Sequence, residues 1–324
     1  MRIILRSAVL FGLLPLMAAG SVARADEATA PDVRLAAVLP QPDPALPGPA
    51  PGARPAAAPA GAVPLTAASV EFGLYALGAK AFDIKVTMRR EADAVHVDTA
   101  MRTFGPLDFM ISFELTGYAA AELRDGRVIP VRYGSDSDGS WSKRSTRITW
   151  DADGMPSAVI QPPLDEDDRE PVPDALKRNT LDPTTAIVAR VLQGGATPPC
   201  TGSDAIFDGR RRYNLHYSPV GPAQVAPRDR TAYAGPAYEC SIRFEPVAGY
   251  SRKDGTADTR PPERPTRIWL VRPPGIDAWL PVQIDTAFRL GSAEGWIAGA
   301  RLNGRTWLEA LAPIRAELQR EITP

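Results

Sequence analysis

The chain has 324 residues and a formal net charge of −1, with two cysteines and two histidines. A nearly neutral chain argues against a general nucleic-acid binder, because such proteins carry a clear excess of basic residues. The few cysteines and histidines, without a Cys-x-x-Cys or His-x-x-x-His spacing, also argue against a metal centre. We therefore expect no cofactor, no metal and no nucleic-acid partner.

The first 25 residues predict a cleaved export signal. Arg2 and Arg6 precede an apolar stretch over residues 8–19, and residues 23–25 supply the small side chains of a cleavage site. The stretch is shorter than the ~20 apolar residues of a transmembrane helix. We therefore expect a periplasmic protein that begins at Asp26, has a net charge of −4 after loss of three arginines, and has no transmembrane segment in the mature chain. An uncleaved membrane anchor is the alternative.

Residues 26–67 are dominated by proline and alanine, as in the stretch PQPDPALPGPAPGARPAAAPAGAVP. No aromatic residue occurs between Phe11 and Phe72, so this segment lacks the apolar surface that a folded core requires. We expect a disordered tail over residues 26–67 and a single β-rich domain over residues 68–324.

From residue 68 onward, apolar and polar residues alternate with the period of two that is typical of β-strands. In AFDIKVTMRR, one face is apolar at Phe82, Ile84, Val86 and Met88. The alternation returns in VHVDTAMR, FMISFEL, YECSIRF and PVQIDTAFRL. Turn signals occur at Asp125-Gly126, Asp138-Gly139, Asp153-Gly154 and Asp254-Gly255. The pattern predicts a mainly β protein with one large curved antiparallel sheet, a half-barrel or β-spiral.

Two segments break this pattern and predict short helices. In LDPTTAIVARVLQGG, Asp182 is a candidate N-cap, Pro183 suits the first helical position and Gly194 marks the end. The C-terminal segment TWLEALAPIRAELQREI has apolar residues at helical spacing, at Trp307, Leu311, Ile314, Leu318 and Ile322. We expect these one or two helices to cover an open face or end of the curved sheet.

The segment IFDGRRRYNLHY contains three consecutive arginines, which raises the question of an anion-binding patch. Asp208-Gly209 predicts the two-residue type I′ turn of a β-hairpin. Strand alternation after this turn places Arg211 and Tyr213 on one face and Arg212 on the other. The arginines are therefore expected to be separate hairpin residues, with contact to an anionic headgroup as the alternative.

These stretches resemble the bacterial family catalogued as Domain of Unknown Function 3108. The resemblance depends on the order of LDPTTA, a cysteine, FDGRRRY, a second cysteine and PVAGY. It covers roughly residues 70–303 and includes Asp182, Pro183, Cys200, Phe207, Asp208, Gly209, Arg210, Arg211, Arg212, Tyr213, Cys240, Gly249 and Tyr250. The family implies an exported protein of the Gram-negative envelope without established catalytic residues. Its expected architecture is similar to the half-barrels of periplasmic lipoprotein carriers.

Cys200 and Cys240 are predicted to form a structural disulfide, because an even number of cysteines in an oxidising compartment favours pairing. Closing a loop of about 40 residues would stabilise the fold by roughly 4 kcal/mol according to chain-entropy arguments. The alternatives are two buried free thiols or a metal site.

The remaining polar residues form no recognisable catalytic constellation. DSDG at 136–139 and DADG at 151–154 resemble calcium loops, but each lacks the third acidic ligand and the glutamate at the twelfth position. His96 and His216 lie on the polar faces of their strands, and no Gly-x-Ser-x-Gly motif is present. The sequence therefore argues against an enzyme.

Together these observations predict a periplasmic, non-enzymatic protein of the cell envelope that holds an apolar ligand, a lipoprotein or another lipidated partner on the concave face of its sheet. Eight aromatic residues are candidates for that face: Phe109, Phe113, Trp150, Tyr213, Tyr217, Phe244, Trp269 and Phe288. One alternative is an envelope scaffold with a solid core, which binds proteins through sheet edges or the proline-rich tail. An enzyme of unrecognised type, with carboxylates such as Asp83 or Asp98, is a third hypothesis.

Overall fold

The computed structural model describes residues 61–76, 78–105, 112–140, 142–164, 169–251, 264–288 and 291–311. The signal segment, most of the tail and the end of the expected C-terminal helix lie outside these ranges. The helices are α1 (Asp174–Lys177) and α2 (Pro183–Leu192). The strands are β1 (Val63–Pro64), β2 (Ala67–Ala76), β3 (Ala79–Glu91), β4 (Ala94–Thr103), β5 (Phe113–Arg124), β6 (Arg127–Gly139), β7 (Ser142–Trp150), β8 (Pro156–Gln161), β9 (Gly202–Phe207), β10 (Arg212–Val225), β11 (Gly235–Ala248), β12 (Thr266–Val271), β13 (Ile276–Asp277), β14 (Leu280–Phe288), β15 (Gly291–Leu302) and β16 (Arg305–Leu308).

Fourteen strands form one antiparallel sheet in the order β8-β7-β6-β5-β4-β3-β2-β15-β14-β12-β11-β10-β9, with β16 paired to β15. Strand pairing does not close this sheet, because β8 and β9 remain at its two edges. Strands β1 and β13 form a separate parallel pair. The mainly β fold with a large antiparallel sheet, predicted from the period-two pattern, is therefore confirmed.

On β3–β5, the alternation in the sequence gives the sheet a buried inner face and a mainly exposed outer face. On β4, Val95 and Val97 are buried, whereas Asp98 is exposed. The buried residues form a row across neighbouring strands, because Val97 pairs with Met88 on β3 and with Ala119 on β5. Burying a large apolar side chain on this face stabilises the fold by about 1.5–3 kcal/mol.

Helix α2 lies inside the curve of the sheet. Its Val188 packs with Val97 and Ala119 from one half of the sheet, and its Ala186 packs with Ile206 from the other half. The helix lies against β5, β6 and β9, which one helix can contact at once only if the sheet curves around it. The helix therefore fills part of the concave side and joins the two halves into one packed core.

The ends of α2 follow the sequence signals. The Asp182 carboxylate accepts hydrogen bonds from the backbone N–H groups of Thr184 at 3.0 Å and Thr185 at 2.8 Å, as an N-cap does. Pro183 occupies the first turn, where a missing N–H costs nothing. Gly194 follows the helix with a φ of +56°, a left-handed conformation that glycine adopts without strain. The helix predicted for this segment is confirmed.

The start of the expected C-terminal helix is instead a strand. Trp307 lies on β16, which pairs with β15 through a two-residue turn at Asn303-Gly304. Both turn residues have positive φ, 46° and 78°, as a type I′ hairpin turn requires. The helical spacing of Trp307 and Leu311 was therefore overridden by hairpin formation, and the prediction is wrong for this part of the segment. Residues 312–324 lie outside the described part of the chain.

The predicted turns have mixed outcomes. Asp125-Gly126 joins β5 to β6 with φ angles of 51° and 75°, and Asp153-Gly154 lies between β7 and β8. Asp138-Gly139 was predicted wrongly as a turn, because both residues belong to β6 and pair with β7. Asp254-Gly255 lies outside the described residues.

Candidate functional site at the closure of the sheet

The stretch of residues 169–182, which we call the closing segment, bridges the gap between the edge strands β8 and β9. At one end, Leu181 forms a parallel bridge with Ile206 of β9. Two residues earlier, the backbone N–H of Asn179 donates to the oxygen of Gly154, which lies between β7 and β8, at 2.8 Å. The closing segment therefore supplies hydrogen bonds that the two edge strands do not supply to each other.

Four residues, 208–211, join β9 to β10, so the prediction of a two-residue type I′ turn is wrong. Gly209 has a positive φ of 89°, and Asp208 is not among the residues with positive φ. The Asp208 carboxylate instead accepts hydrogen bonds from the backbone N–H groups of Arg210 at 2.9 Å and Arg211 at 2.7 Å. These bonds satisfy the donors of a wider loop, which is the preference of aspartate in Asx-turns.

Gly209 brings this loop against the inner face of the opposite edge of the sheet. A Cβ placed on Gly209 would lie 2.7 Å from Cγ2 of Thr146 on β7 and 3.3 Å from Cγ2 of Ile160 on β8. Glycine is needed here both for this close approach and for the positive φ. The loop of residues 208–211 thus closes the curve that the strands leave open.

The three consecutive arginines fix three different segments. The Nη2 group of Arg210 donates to the backbone oxygen of Pro162, after β8, at 2.8 Å. Arg211 forms an ion pair within the loop, with Nη2 2.9 Å from Oδ2 of Asp208. Arg212 donates from Nε to a backbone oxygen of α1 at 3.0 Å. The three guanidinium groups do not act together as one patch.

The second motif, PVAGY, packs directly on the first. Gly249 lies against the backbone oxygen of Arg210, and its φ of +79° also favours glycine. A guanidinium N–H of Arg169 donates to the backbone oxygen of Gly249. The Tyr250 ring lies 6.3 Å from the ring of Phe244 on β11, nearly perpendicular to it. The structure therefore brings the FDGRRRY and PVAGY motifs together beside the closing segment.

Asp182 is a buried carboxyl group at the centre of this region, with no exposed surface. Oδ1 caps α2, whereas Oδ2 has no hydrogen-bond partner among the described residues. Burial raises the pKa of Asp182 to about 6, although hydrogen bonds from Thr185 and Thr184 favour the charged form. Asp182 therefore changes its charge within a pH range close to neutrality.

The predicted disulfide between Cys200 and Cys240 is present, with 5.5 Å between the two Cα atoms. Both residues are buried. The bond joins the segment before β9 to β11 and passes over β10, which lies between them in the sheet. It therefore holds the edge hairpin in place from the end opposite the loop of residues 208–211.

An ion pair that the sequence did not indicate attaches α2 to β9. The guanidinium of Arg190 contacts both carboxylate oxygens of Asp204, at 2.8 Å and 2.7 Å. The same guanidinium lies 4.0 Å from the centre of the Tyr217 ring. Burial raises the pKa of Tyr217, so its hydroxyl stays neutral. This geometry makes Arg190 a fixed part of the core.

The concave face changes from apolar to polar between β2 and β7. One row of register-paired residues consists of Phe72, Ile84, Met101, Leu115, Ser137 and Arg144. The next row towards α2 consists of Val70, Val86, Thr99, Gly117, Ser135 and Thr146. The first row is apolar on β2–β5 and polar on β6 and β7, whereas the second row carries hydroxyl groups on β4, β6 and β7.

The aromatic residues expected on the concave face have mixed positions. Three of them pack near α2, at Tyr213, Tyr217 and Phe244. Phe113 and Trp150 are partly buried in neighbouring clusters. Phe109 and the side chain of Phe288 lie outside the described part of the chain.

Trp269 was predicted wrongly as a residue of the concave face. Strand register aligns Trp269 with Trp296 on β15 and, through Gly73, with Asp83 on β3. Asp83 is the neighbour of Ile84 and therefore points to the other side of the sheet. Trp269 accordingly belongs to the outer face, where it packs with Trp296.

Arg144 is the residue that sequence reasoning missed. It shares the inner face of β7 with Thr146, against which the loop of residues 208–211 packs. Burial, together with the positive charge of Arg144, lowers the pKa of Arg210 to about 10. The phase of Arg144 on its strand was available in the sequence, but its proximity to Arg210 depends on the closure of the sheet.

The polar groups considered for other chemistry have structural partners. His216 lies 2.6 Å from Glu245, which also accepts a hydrogen bond from Asn214. In the first calcium-like stretch, Asp136 forms an ion pair with Arg147 on β7. Within the described ranges, no three His, Cys, Asp or Glu residues are grouped so as to hold a metal ion. Within the same ranges, no helix has the length and apolar composition to span a membrane.

A curved open sheet, closed by a loop and a connecting segment around an inner helix, defines this chain as a barrel-like β protein. The family model described as "Protein of unknown function (DUF3108)" matches residues 69–295, so the chain belongs to this family. No curated protein sequence matches it. Among solved structures, the chain is similar to a beta-barrel-like protein of Domain of Unknown Function DUF1849 from Brucella abortus, with 11% identity, a TM-score of 0.45, and coverage of 74% of this chain and 99% of that one.

Proposed function

We propose that this protein is exported to the periplasm and acts there without catalysis, by binding the apolar part of a lipid or lipidated partner on the concave face of its sheet. The signal-like segment at residues 1–25 supports export. The two carboxylates of the family motifs support a non-catalytic role. Asp182 caps α2, and Asp208 accepts backbone hydrogen bonds within the loop of residues 208–211. Intact-mass measurement of periplasmic material tests export, and the expected N-terminus is Asp26.

The observation that carries this proposal is the incomplete burial of large apolar side chains on the concave face. Phe72, Ile84 and Val86 point towards the inside of the curve, yet all three are only partly buried. Their neighbours Met101 and Leu115 are almost fully buried. An acyl chain that covered the partly buried residues would gain about 25 cal/mol for each Å² of apolar surface removed from water.

Titration of delipidated protein with a fluorescent fatty acid tests the proposal. We expect saturable binding to the wild-type protein and about tenfold weaker binding to Ile84→Gln, since the loss of one apolar contact surface costs about 1.4 kcal/mol or more. Lys85→Gln is the matched control, because Lys85 is the next residue on β3 and faces outward. Binding that is absent from the wild type, or equal in both variants, would contradict a site on this face.

A second candidate function is an envelope scaffold, and the position of α2 favours it. The helix packs against both halves of the sheet and makes that part of the concave side solid. A scaffold would bind proteins through other surfaces or through the proline-rich tail. Recovery of partners from envelope extracts, with and without residues 26–66, tests this role. Equal recovery from both forms would exclude the tail as the binding element.

A further inference from the structure

One glycine on the inner face of the sheet is not required there by the backbone or by close packing. Gly295 lies inside β15, where it pairs with Leu74 on β2 and with Ile284 on β14. It is not among the residues with positive φ. A Cβ placed on Gly295 would lie 3.6 Å from Cβ of Ile284 and 3.9 Å from Cδ1 of Leu74, with no third atom of the described residues beyond its chain neighbours within 4 Å. Alanine would therefore fit this position.

Other glycines inside strands have a packing reason that Gly295 lacks. A Cβ would come to 3.0 Å or closer to an atom of another residue at Gly73, Gly117, Gly134 and Gly299. Glycine weakens a strand, because it loses more conformational freedom on folding than any other residue. A glycine inside a strand often marks a bulge, a bend or a place where a ligand approaches the backbone. Strand register is continuous on both sides of Gly295, so no bulge occurs there.

The position of Gly295 borders side chains of the concave face that are only partly buried. Leu74 lies two residues after Phe72 on β2, and Ile284 pairs with Ile268 on β12. Phe72 and Ile268 are both partly buried, and they lie on opposite sides of Gly295 in the sheet. All four of these side chains are apolar. An uncharged chain is therefore the kind of ligand that complements this part of the face.

We propose that Gly295 is a specificity-determining residue of the concave site, because its missing side chain leaves the space in which the apolar chain of the ligand lies between Leu74 and Ile284. The inference rests on the proposed function and adds the class of chain. The space of one missing side chain accommodates a linear methylene chain, whereas a branch in the chain would meet Leu74 or Ile284. The preferred ligand is therefore a lipid with a linear acyl chain.

Two substitutions at position 295 separate ligand binding from folding. We expect the urea midpoint of Gly295→Ala to equal or exceed that of the wild type, because alanine fits without a clash and restricts the unfolded chain. The affinity for a fluorescent fatty acid should fall about threefold in Gly295→Ala and at least about tenfold in Gly295→Val, which fills more of the space. Ser292→Val is the matched control, because Ser292 lies on the same strand and points to the outer face.

Two isomeric fatty acids of equal carbon number test the class of chain. Palmitate is linear, whereas 2-hexyldecanoate divides the same carbons between two branches. Isothermal titration of the delipidated wild type should show at least about tenfold tighter binding of palmitate. Gly295→Val should reduce this preference, because it fills the space that only the linear chain uses.

The possible failures of Gly295 and of the concave site are distinguishable. A lower urea midpoint in Gly295→Ala than in the wild type would show that position 295 belongs to a closed core, and would overturn the role of Gly295. Fatty-acid affinity that is unchanged in Gly295→Ala, or reduced as much in Ser292→Val as in Gly295→Val, would also overturn it. Equal affinity of the wild type for palmitate and 2-hexyldecanoate would overturn the linear chain and leave the concave site intact. Failure of every fatty acid to bind the wild type would contradict the proposed function itself.

Discussion

The backbone oxygen of Arg210 occupies the space that a side chain at position 249 would need. A Cβ placed on Gly249 would overlap with this oxygen and would also press on Cγ2 of Val172 at 2.8 Å. Arg210 belongs to the loop between β9 and β10, and Gly249 follows β11. The contact thus joins the FDGRRRY and PVAGY motifs of the family at the point where the sheet closes.

Gly249→Ala should destabilise the protein by about 2–5 kcal/mol, because it adds a clash with the Arg210 oxygen to the strain of a left-handed alanine. Urea unfolding measures the change. Gly126→Ala is the control, since Gly126 has a similar φ of +75° but no atom within 4 Å of the place that a Cβ would take. The control should cost about 1 kcal/mol. Equal losses in both variants would mean that the contact with Arg210 adds nothing.

Replacement of both Cys200 and Cys240 by serine should lower the free energy of unfolding by about 2–5 kcal/mol, because the bond closes a separation of 40 residues. Ligand binding by the folded variant should be unchanged, since both cysteines lie away from β2 and β3. Thermal unfolding of the oxidised wild type, the reduced wild type and the variant measures the effect. Two free thiols in unfolded, unreduced protein from the periplasm would contradict this account.

The ion pair between Arg190 and Asp204 should contribute more to stability than a similar pair at the surface. Its side chains are 17% and 14% exposed, whereas those of Arg147 and Asp136 are 41% and 52% exposed. Removal of one partner of the inner pair should cost about 3–5 kcal/mol, because it leaves a buried charge unpaired. The coupling energy of the outer pair should be about 1 kcal/mol or less, and that of the inner pair should be larger. Double-mutant cycles with glutamine and asparagine measure both couplings. Similar values would show that burial does not strengthen the inner pair.

Asp182 should make the protein more stable in mild acid than its other carboxylates alone would allow. Its pKa in the folded protein, about 6, lies above the ordinary value of 3.8. The folded state therefore binds the proton more tightly, and this stabilisation is complete below pH 3.8 and is lost as the pH rises towards 6. The difference between these pKa values corresponds to about 3 kcal/mol.

Asp182→Asn keeps an N-cap and removes the titration. From pH 7 to pH 4, the free energy of unfolding of the wild type should therefore gain as much as about 3 kcal/mol relative to the variant. Urea unfolding of both proteins at the two pH values provides the measurement. Parallel pH profiles would show that Asp182 does not take up a proton in this range.

Two turns show how far local sequence chemistry determines this fold. At Asn303-Gly304, both φ angles are positive and the two-residue hairpin forms as the dipeptide favours. At Asp208-Gly209, the same kind of dipeptide forms a wider loop, because Gly209 packs against Thr146 from the far edge of the sheet. Strand phase and helix capping were predictable from neighbouring residues. The closure of the sheet depends on contacts between residues distant in the chain.

The candidate site illustrates the same limit. The motif glycines and Asp182 were identified in the sequence, but their joint role in closing the sheet depends on the closing segment, whose α1 was not predicted. Arg144 lies in SKRSTRITW, where basic residues occur on both faces of one strand. Its separation from the outward Arg147 could be inferred from alternation, whereas its position beside Arg210 required knowledge that β7 and the loop after β9 meet.

Native mass spectrometry of the protein purified from the periplasm, without a delipidation step, tests the central claim most directly. We expect a population whose mass exceeds that of the mature chain by one bound lipid, and loss of that excess in Ile84→Gln but not in Lys85→Gln. Detection of the bare polypeptide alone, together with no saturable binding of added fatty acid, would contradict a lipid-binding role for the concave face.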